Sequence, residues 1–182
     1  MNRRDALHSL ALLGGASAAG MAAETKSFVL AWRDSFLKHW QVTKDYTIAV
    51  AEAMPAEHYD FKASPPQRTF AEQLIHLARA NSAYVSAWGL SAILGVPKTA
   101  DKATVRKYLA ESFDQVAEVI GKLSEKDLLR NDLGAPPRFP AHTGSDLLLR
   151  AYMHTAHHRG QAVVYLRLKG IVPPEWAFQP TA

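Results

Sequence analysis

Cysteine is absent from all 182 residues. That excludes disulfides, thiolate metal ligands, a cysteine nucleophile and an acylated lipoprotein anchor in one step. Glycine-rich phosphate loops and a Gly-x-Ser-x-Gly elbow are missing too, and no segment alternates polar and apolar residues over a strand's length. The net charge of +4 is dispersed, and clustered Lys/Arg with interleaved aromatics occurs nowhere. A nucleic-acid partner is therefore not expected. Long apolar runs are also lacking. The best candidate, Leu10 to Ala23, is too short and too glycine-rich to span a bilayer, so the mature chain should not insert stably in a membrane.

What the N-terminus does have is the order of parts of an export signal. Arg3-Arg4 and Leu7 precede the apolar stretch, and Ala18, Ala22 and Ala23 offer cleavage positions before charge returns at Glu24. The arginine pair is similar to a twin-arginine signal, an address for proteins exported already folded. The expectation is a signal peptide over residues 1–23, a mature domain over residues 24–182, and a periplasmic location.

The rest reads as helices divided by proline and glycine. Phe28, Trp32, Phe36, Val42, Tyr46 and Val50 recur at mostly three- and four-residue steps, predicting a first amphipathic helix that stops before Pro55. Thr69-Phe70-Ala71-Glu72 fits a capping box opening a second helix, which should reach about Leu90. Asp101 caps a third ending near Gly121, and Ser124 to Arg130 allows a further short turn. Pro136, Pro137 and Pro140 keep residues 131–143 irregular. The last long helix runs from Gly144 to about Lys169, where Gly170 supplies a left-handed end and Pro173-Pro174 forbid continuation. Four long helices predict an all-α fold, an antiparallel four-helix bundle.

Histidine carries the chemistry. His154 and His158 are one turn apart on the stripe Leu147, Ala151, His154, His158, Gln161, Tyr165, Leu168, so both imidazoles project from one face. Burying two imidazoles among apolar neighbours is costly unless they are bonded. A His-xxx-His pair on such a stripe points to a shared metal ion. His76, in mid-helix beside Ala80 and Ala83, is the candidate third donor. Three nitrogen ligands leave a coordination position open. His157 could replace His158 at a spacing of three, while His39 and His142 are more distant candidates. A zinc-protease helix is excluded, because the residue after the first histidine is Thr155 where that chemistry needs Glu.

The run His154-Thr155-Ala156-His157-His158-Arg159-Gly160-Gln161, followed by Tyr165-Leu166-Arg167 and Lys169 to Pro174, resembles the DinB/YfiT-like superfamily. Met54 to Phe61, and Arg68 to Gln73 with His76, are similar to the same family's first connection and second helix. The likeness extends over residues 25–175. It implies a four-helix bundle holding a divalent metal, zinc or nickel, on His76, His154 and His158, and it implies a homodimer as one assembly. A metal-dependent enzyme is the expected function, a thiol-dependent transferase or a hydrolase acting on a small-molecule substrate. A non-catalytic metal-binding stress-response or partner-binding protein is the alternative, favoured if His142 or His39 closes the site. Gln161 and Glu72 are candidates to support the ligands, and Arg159 to hold an anionic substrate or form a structural ion pair.

Overall fold

The computed structural model describes residues 3–134 and 141–176, with side chains from residue 28 onward in those ranges. The expected signal segment, residues 1–23, and its cleavage positions lie outside the described side chains. So do residues 135–140 of the proline-rich connection. Five α-helices are described: α1 (Arg3–Ala53), α2 (Phe70–Ser86), α3 (Lys102–Lys122), α4 (Glu125–Leu129) and α5 (Gly144–Leu168). Among the described residues there is no strand beyond two isolated bridges, Lys62 with Thr69 and Leu133 with His142.

Local chemistry sets the helix ends. Thr69 and Glu72 form the expected capping box, each satisfying the other's backbone N–H. Asp101 accepts from the Thr104 amide and Thr143 from the Asp146 amide. At the far end of α5, Gly170 has φ +72°, the Gly170 amide donates to Arg167 O and the Ile171 amide to Leu166 O. That is the Schellman arrangement the glycine foreshadowed. The second helix is shorter than expected. It gives way after Ser86, and Gly89, at φ +71°, turns the chain while its amide bonds back to Ser86 O.

α1 and α2 each pack against both α3 and α5. Side-chain bonds give the directions. Arg33 reaches Leu123 O at 2.9 Å, Trp40 reaches Phe113 O at 3.0 Å, and Arg106 meets Glu52 at 2.6 Å, so α1 and α3 are antiparallel. Thr155 bonds to Asn81 and Tyr165 to Arg68 O, so α2 and α5 are antiparallel as well. Phe36 lies against Tyr152 and Thr47 against Arg159, which makes α1 and α5 parallel. α2 and α3 both start where α1 ends, through Tyr59 bonded to Ala51 O and Lys102 bonded to Glu52 O, and run the same way. The expectation of a simple antiparallel bundle is therefore corrected for these two pairs. The reason is the connection over residues 87–101, which returns along the helices. Gln115 holds it at Ala92 O, Ser82 at the Leu94 amide and Tyr108 at Leu94 O. Extended chain at about 3.3 Å per residue easily outreaches a helix of α3's length, at 1.5 Å per residue.

The buried stripes are offset from those read in the sequence. On α1 the core face is Phe36, Trp40, Thr43, Thr47, Val50, Ala51 and Met54, whereas Phe28 is 71% exposed. On α5 Leu148, Ala151, Thr155, Ala162 and Leu166 are fully buried, Leu147, His158, Arg159, Val163 and Tyr165 nearly so, and Leu168 is exposed, so Leu147, Ala151, His158 and Tyr165 of the expected stripe are buried as read. His158 is thus buried and His154 half-buried, both beside the fully buried centre of the α5 face.

Gly144 opens α5 where the backbone of α4 leaves no room. A Cβ there would lie 2.6 Å from Asp127 O and 2.8 Å from Leu128 O. Both obstacles are main chain, so relief needs a shift of a helix. Gly144→Ala should cost about 1–3 kcal/mol of stability, measured as a lowered urea midpoint. A wild-type midpoint would refute this packing constraint.

Candidate metal centre

His76 comes from α2, and His154 and His158 come from α5, two helices that pack together antiparallel. One ring nitrogen of each lies within 4.8 Å of the other two. His154 Nε2 and His158 Nε2 are 3.1 Å apart. The His76 ring centroid is 4.5 Å from that of His158 and 5.2 Å from that of His154. Two nitrogens at about 2.0–2.1 Å from one tetrahedral ion would stand roughly 3.3 Å apart. The α5 pair already has that bite, and the group as a whole could hold a metal ion.

The other candidates fall elsewhere. His157 is exposed, stacks edge-on against His158 and accepts from Gln161 Nε2 at 3.1 Å. His142 is buried at the opposite end of α5, with Nδ1 2.7 Å from Asp146. His39 lies near Trp32, Phe36 and Tyr152 on the α1–α5 side. None of the three joins the group. Glu72 is spent on capping α2. Arg159 forms no ion pair among the described residues. It is buried against α1, with a long 3.4 Å bond to Thr47 Oγ1 and its guanidinium 4.9 Å from the Tyr46 ring centroid.

Gln161 does support the cluster, and so does Gln73, which the sequence reading passed over. Gln73 Nε2 is 2.7 Å from His158 Nδ1, and Gln161 Oε1 is 3.2 Å from the same atom. Gln73 also donates to Gln161 Oε1. His158 has two tautomers, and they use different contacts. In one, His158 Nδ1 accepts from Gln73 and Nε2–H donates to His154. In the other, Nδ1–H donates to Gln161 Oε1 and leaves Nε2 a free lone pair, as ligation requires, and the Gln73 amide nitrogen must then turn away from Nδ1. The signal for Gln73 was available: it is one turn before His76 on the same helix face.

Thr155, where a zinc protease has its base, is fully buried and donates to Asn81 Oδ1 at 2.8 Å. Asn81 continues to Ser112 on α3. Thr155 is thus a tie between helices.

Electrostatics keep the donors neutral. Burial first, then the neighbouring imidazoles, lower His154 and His158 from 6.5 to about 4. His76 is lowered by burial and then by the charges of Arg68 and Arg79. His154 Nδ1 is buried with no partner among the described residues.

A family model described as DinB matches residues 21–180. The chain belongs to the DinB family. A DinB-like protein from Bacillus cereus ATCC 10987 shares the fold with a TM-score of 0.67 and 22% identity, over 77% of this chain and 94% of that one. A DinB-like protein from Bacillus subtilis gives 0.62 and 20%, over 79% and 96%. At these identities the likeness concerns fold alone. No curated protein matches the chain. The DinB membership agrees with the resemblance read from the histidine-rich run.

Since folded His154 and His158 refuse protons that the unfolded chain accepts below 6.5, metal-stripped protein should lose stability as pH falls from about 6.5 to about 4, and hold it above that window. Urea midpoints between these limits test this. The double variant His154→Gln, His158→Gln should show a shallower dependence, and identical slopes would count against the assignment.

Proposed function

We propose that this DinB-family protein is a divalent-metal-dependent enzyme of the transferase or hydrolase type, with His76, His154 and His158 as ligands. The observation that carries the reading is the convergence of three neutral imidazole nitrogens with no fourth protein donor in the group. Neutral donors suit zinc or nickel and leave the ion's charge uncompensated. An ion so held would be a strong Lewis acid, able to lower the pKa of a bound water or substrate thiol.

The residues of the chain divide the remaining work. Gln161 Oε1, by accepting from His158 Nδ1–H, selects the tautomer that frees Nε2, and Gln73, which donates to Gln161 Oε1, holds that amide in place. Asn81 and Thr155 hold α2 and α5 in register. A pocket of about 430 Å3 adjoins the cluster and shares Gln73 and Gln161 with its support, which favours turnover of a small molecule over simple sequestration. The twin-arginine-like start supports export to the periplasm as part of the same proposal, with hydrolysis or thiol transfer taking place there.

Elemental analysis of protein purified without added metal should find about one divalent ion per chain. His76→Ala and His158→Ala should fall well under one equivalent with the helical circular dichroism intact. Gln73→Leu should bind metal about 10-fold more weakly. Full metal content in the histidine variants would refute the site. Metal-loaded protein inert toward both activated esters and thiol-plus-electrophile pairs would refute the enzyme and leave the non-catalytic alternative.

A further inference from the structure

The pocket beside the three histidines is lined by Pro66, Gln67, Arg68, Gln73, Gln161 and Tyr165. It has one cationic side chain, Arg68. Arg68's carbonyl is occupied, accepting from Tyr165 Oη at 2.7 Å, but its guanidinium has no hydrogen bond or ion pair among the described residues. Tyr165 Oη is also 3.4 Å from Gln67 Oε1, which fixes the two residues before the Thr69 cap against α5. Glu72, the acidic group nearest in sequence, is engaged with the Thr69 amide at 2.7 Å. Arg68's positive field extends to the cluster, where it disfavours protonation of both His76 and His154. One free guanidinium and amide side chains, in a lining more polar than apolar, make a poor site for a hydrocarbon and a good one for a single small anion.

We propose that this pocket binds the carboxylate of a small organic substrate, with Arg68 as its counter-ion and the amides of Gln67 and Gln73 as flanking polar groups. A carboxylate accepts the two parallel N–H bonds of one planar guanidinium, whereas phosphate, with its oxygens spread tetrahedrally, would call for charged donors on more than one side. The pocket shares Gln73 and Gln161 with the support of His158, so a molecule anchored there extends naturally toward the cluster. Arg159, for which the sequence offered either an anionic substrate or a structural ion pair, points at Tyr46 and Thr47, so Arg68 is the arginine that faces the pocket.

That the bound molecule is the substrate rests on the proposed function; the anion preference of the pocket does not. The test uses full-length protein in two forms, stripped of metal by chelator and dialysed, and zinc-loaded. Succinate and its neutral counterpart succinamide are titrated into each and followed by amide chemical shifts in NMR spectra. Succinate should bind both forms with shifts at Arg68 and Gln73, and succinamide at least about 10-fold more weakly. Arg68→Gln should lose about 10-fold in succinate affinity while keeping its zinc stoichiometry. Equal binding of the two probes, no succinate binding, an unchanged Arg68→Gln variant, or inorganic phosphate binding more tightly than succinate would overturn the proposal. If zinc fails to bind but the stripped protein still prefers succinate through Arg68, the metalloenzyme reading falls and the anion site stands.

Discussion

The hydrogen bond from Thr155 Oγ1 to Asn81 Oδ1 joins α5 to α2 at a fixed register, inside a core where neither group has water as an alternative. Sliding one helix by a single turn, about 5.4 Å, would leave a buried hydroxyl and a buried amide unsatisfied. It would also carry His76 away from His154 and His158. The bond thus constrains more than packing. It sets which imidazoles can share a point in space, and Ser112 extends the tie to α3. Tyr165 bonded to Arg68 O repeats the constraint further along the same interface.

Desolvation and access pull a metal site in opposite directions, and α5 resolves the conflict by angular position. Its fully buried face is occupied by Leu148, Ala151, Thr155, Ala162 and Leu166. The histidines stand beside that face, dry enough to be kept neutral yet close to a polar pocket. Immediately after His158, Arg159 turns to the other side and lies between Tyr46 and Thr47 of α1. One helix turn therefore serves two interfaces, with imidazoles toward α2 and a guanidinium toward α1. The buried cation lacks a carboxylate partner among the described residues, so ring and hydroxyl contacts are what offset part of its desolvation.

Much of this was legible in the sequence because the signals were local. Thr69 with Glu72, Asp101, Gly170 and the prolines mark helix ends through bonds spanning a few residues, and the ends fell close to where those bonds put them. The four-residue step from His154 to His158 likewise needs only helix geometry. Direction of packing was not legible. Nothing local in residues 87–101 says that the chain returns along the helices; Ser82, Tyr108 and Gln115 hold it there from distant positions. The exact centre of each buried stripe was missed for the same reason. Trp40 and Thr47 on α1, and Thr155 and Arg159 on α5, are buried because of what faces them. Arg68 escaped notice because its role depends on α5 lying opposite, whereas Gln73 carried a local signal in its place one turn before His76.

The positive charge at the mouth of the site has a consequence for the imidazoles that burial alone would not secure. A histidine ligand competes with protons for one lone pair, so any interaction that penalises the imidazolium favours the form able to coordinate. Desolvation does most of this at His154 and His158, and each neutral neighbour would be penalised again were another protonated. Arg68 and Arg79 extend the penalty to His76, the donor set on the other helix. A carboxylate placed against Arg68 would cancel part of that field and make the imidazoles slightly easier to protonate. Its own attraction for a cation held nearby acts in the opposite sense. If the proposed anion and metal both bind, they would be coupled through charge without sharing a ligand, with a sign set by which interaction lies closer to the three nitrogens.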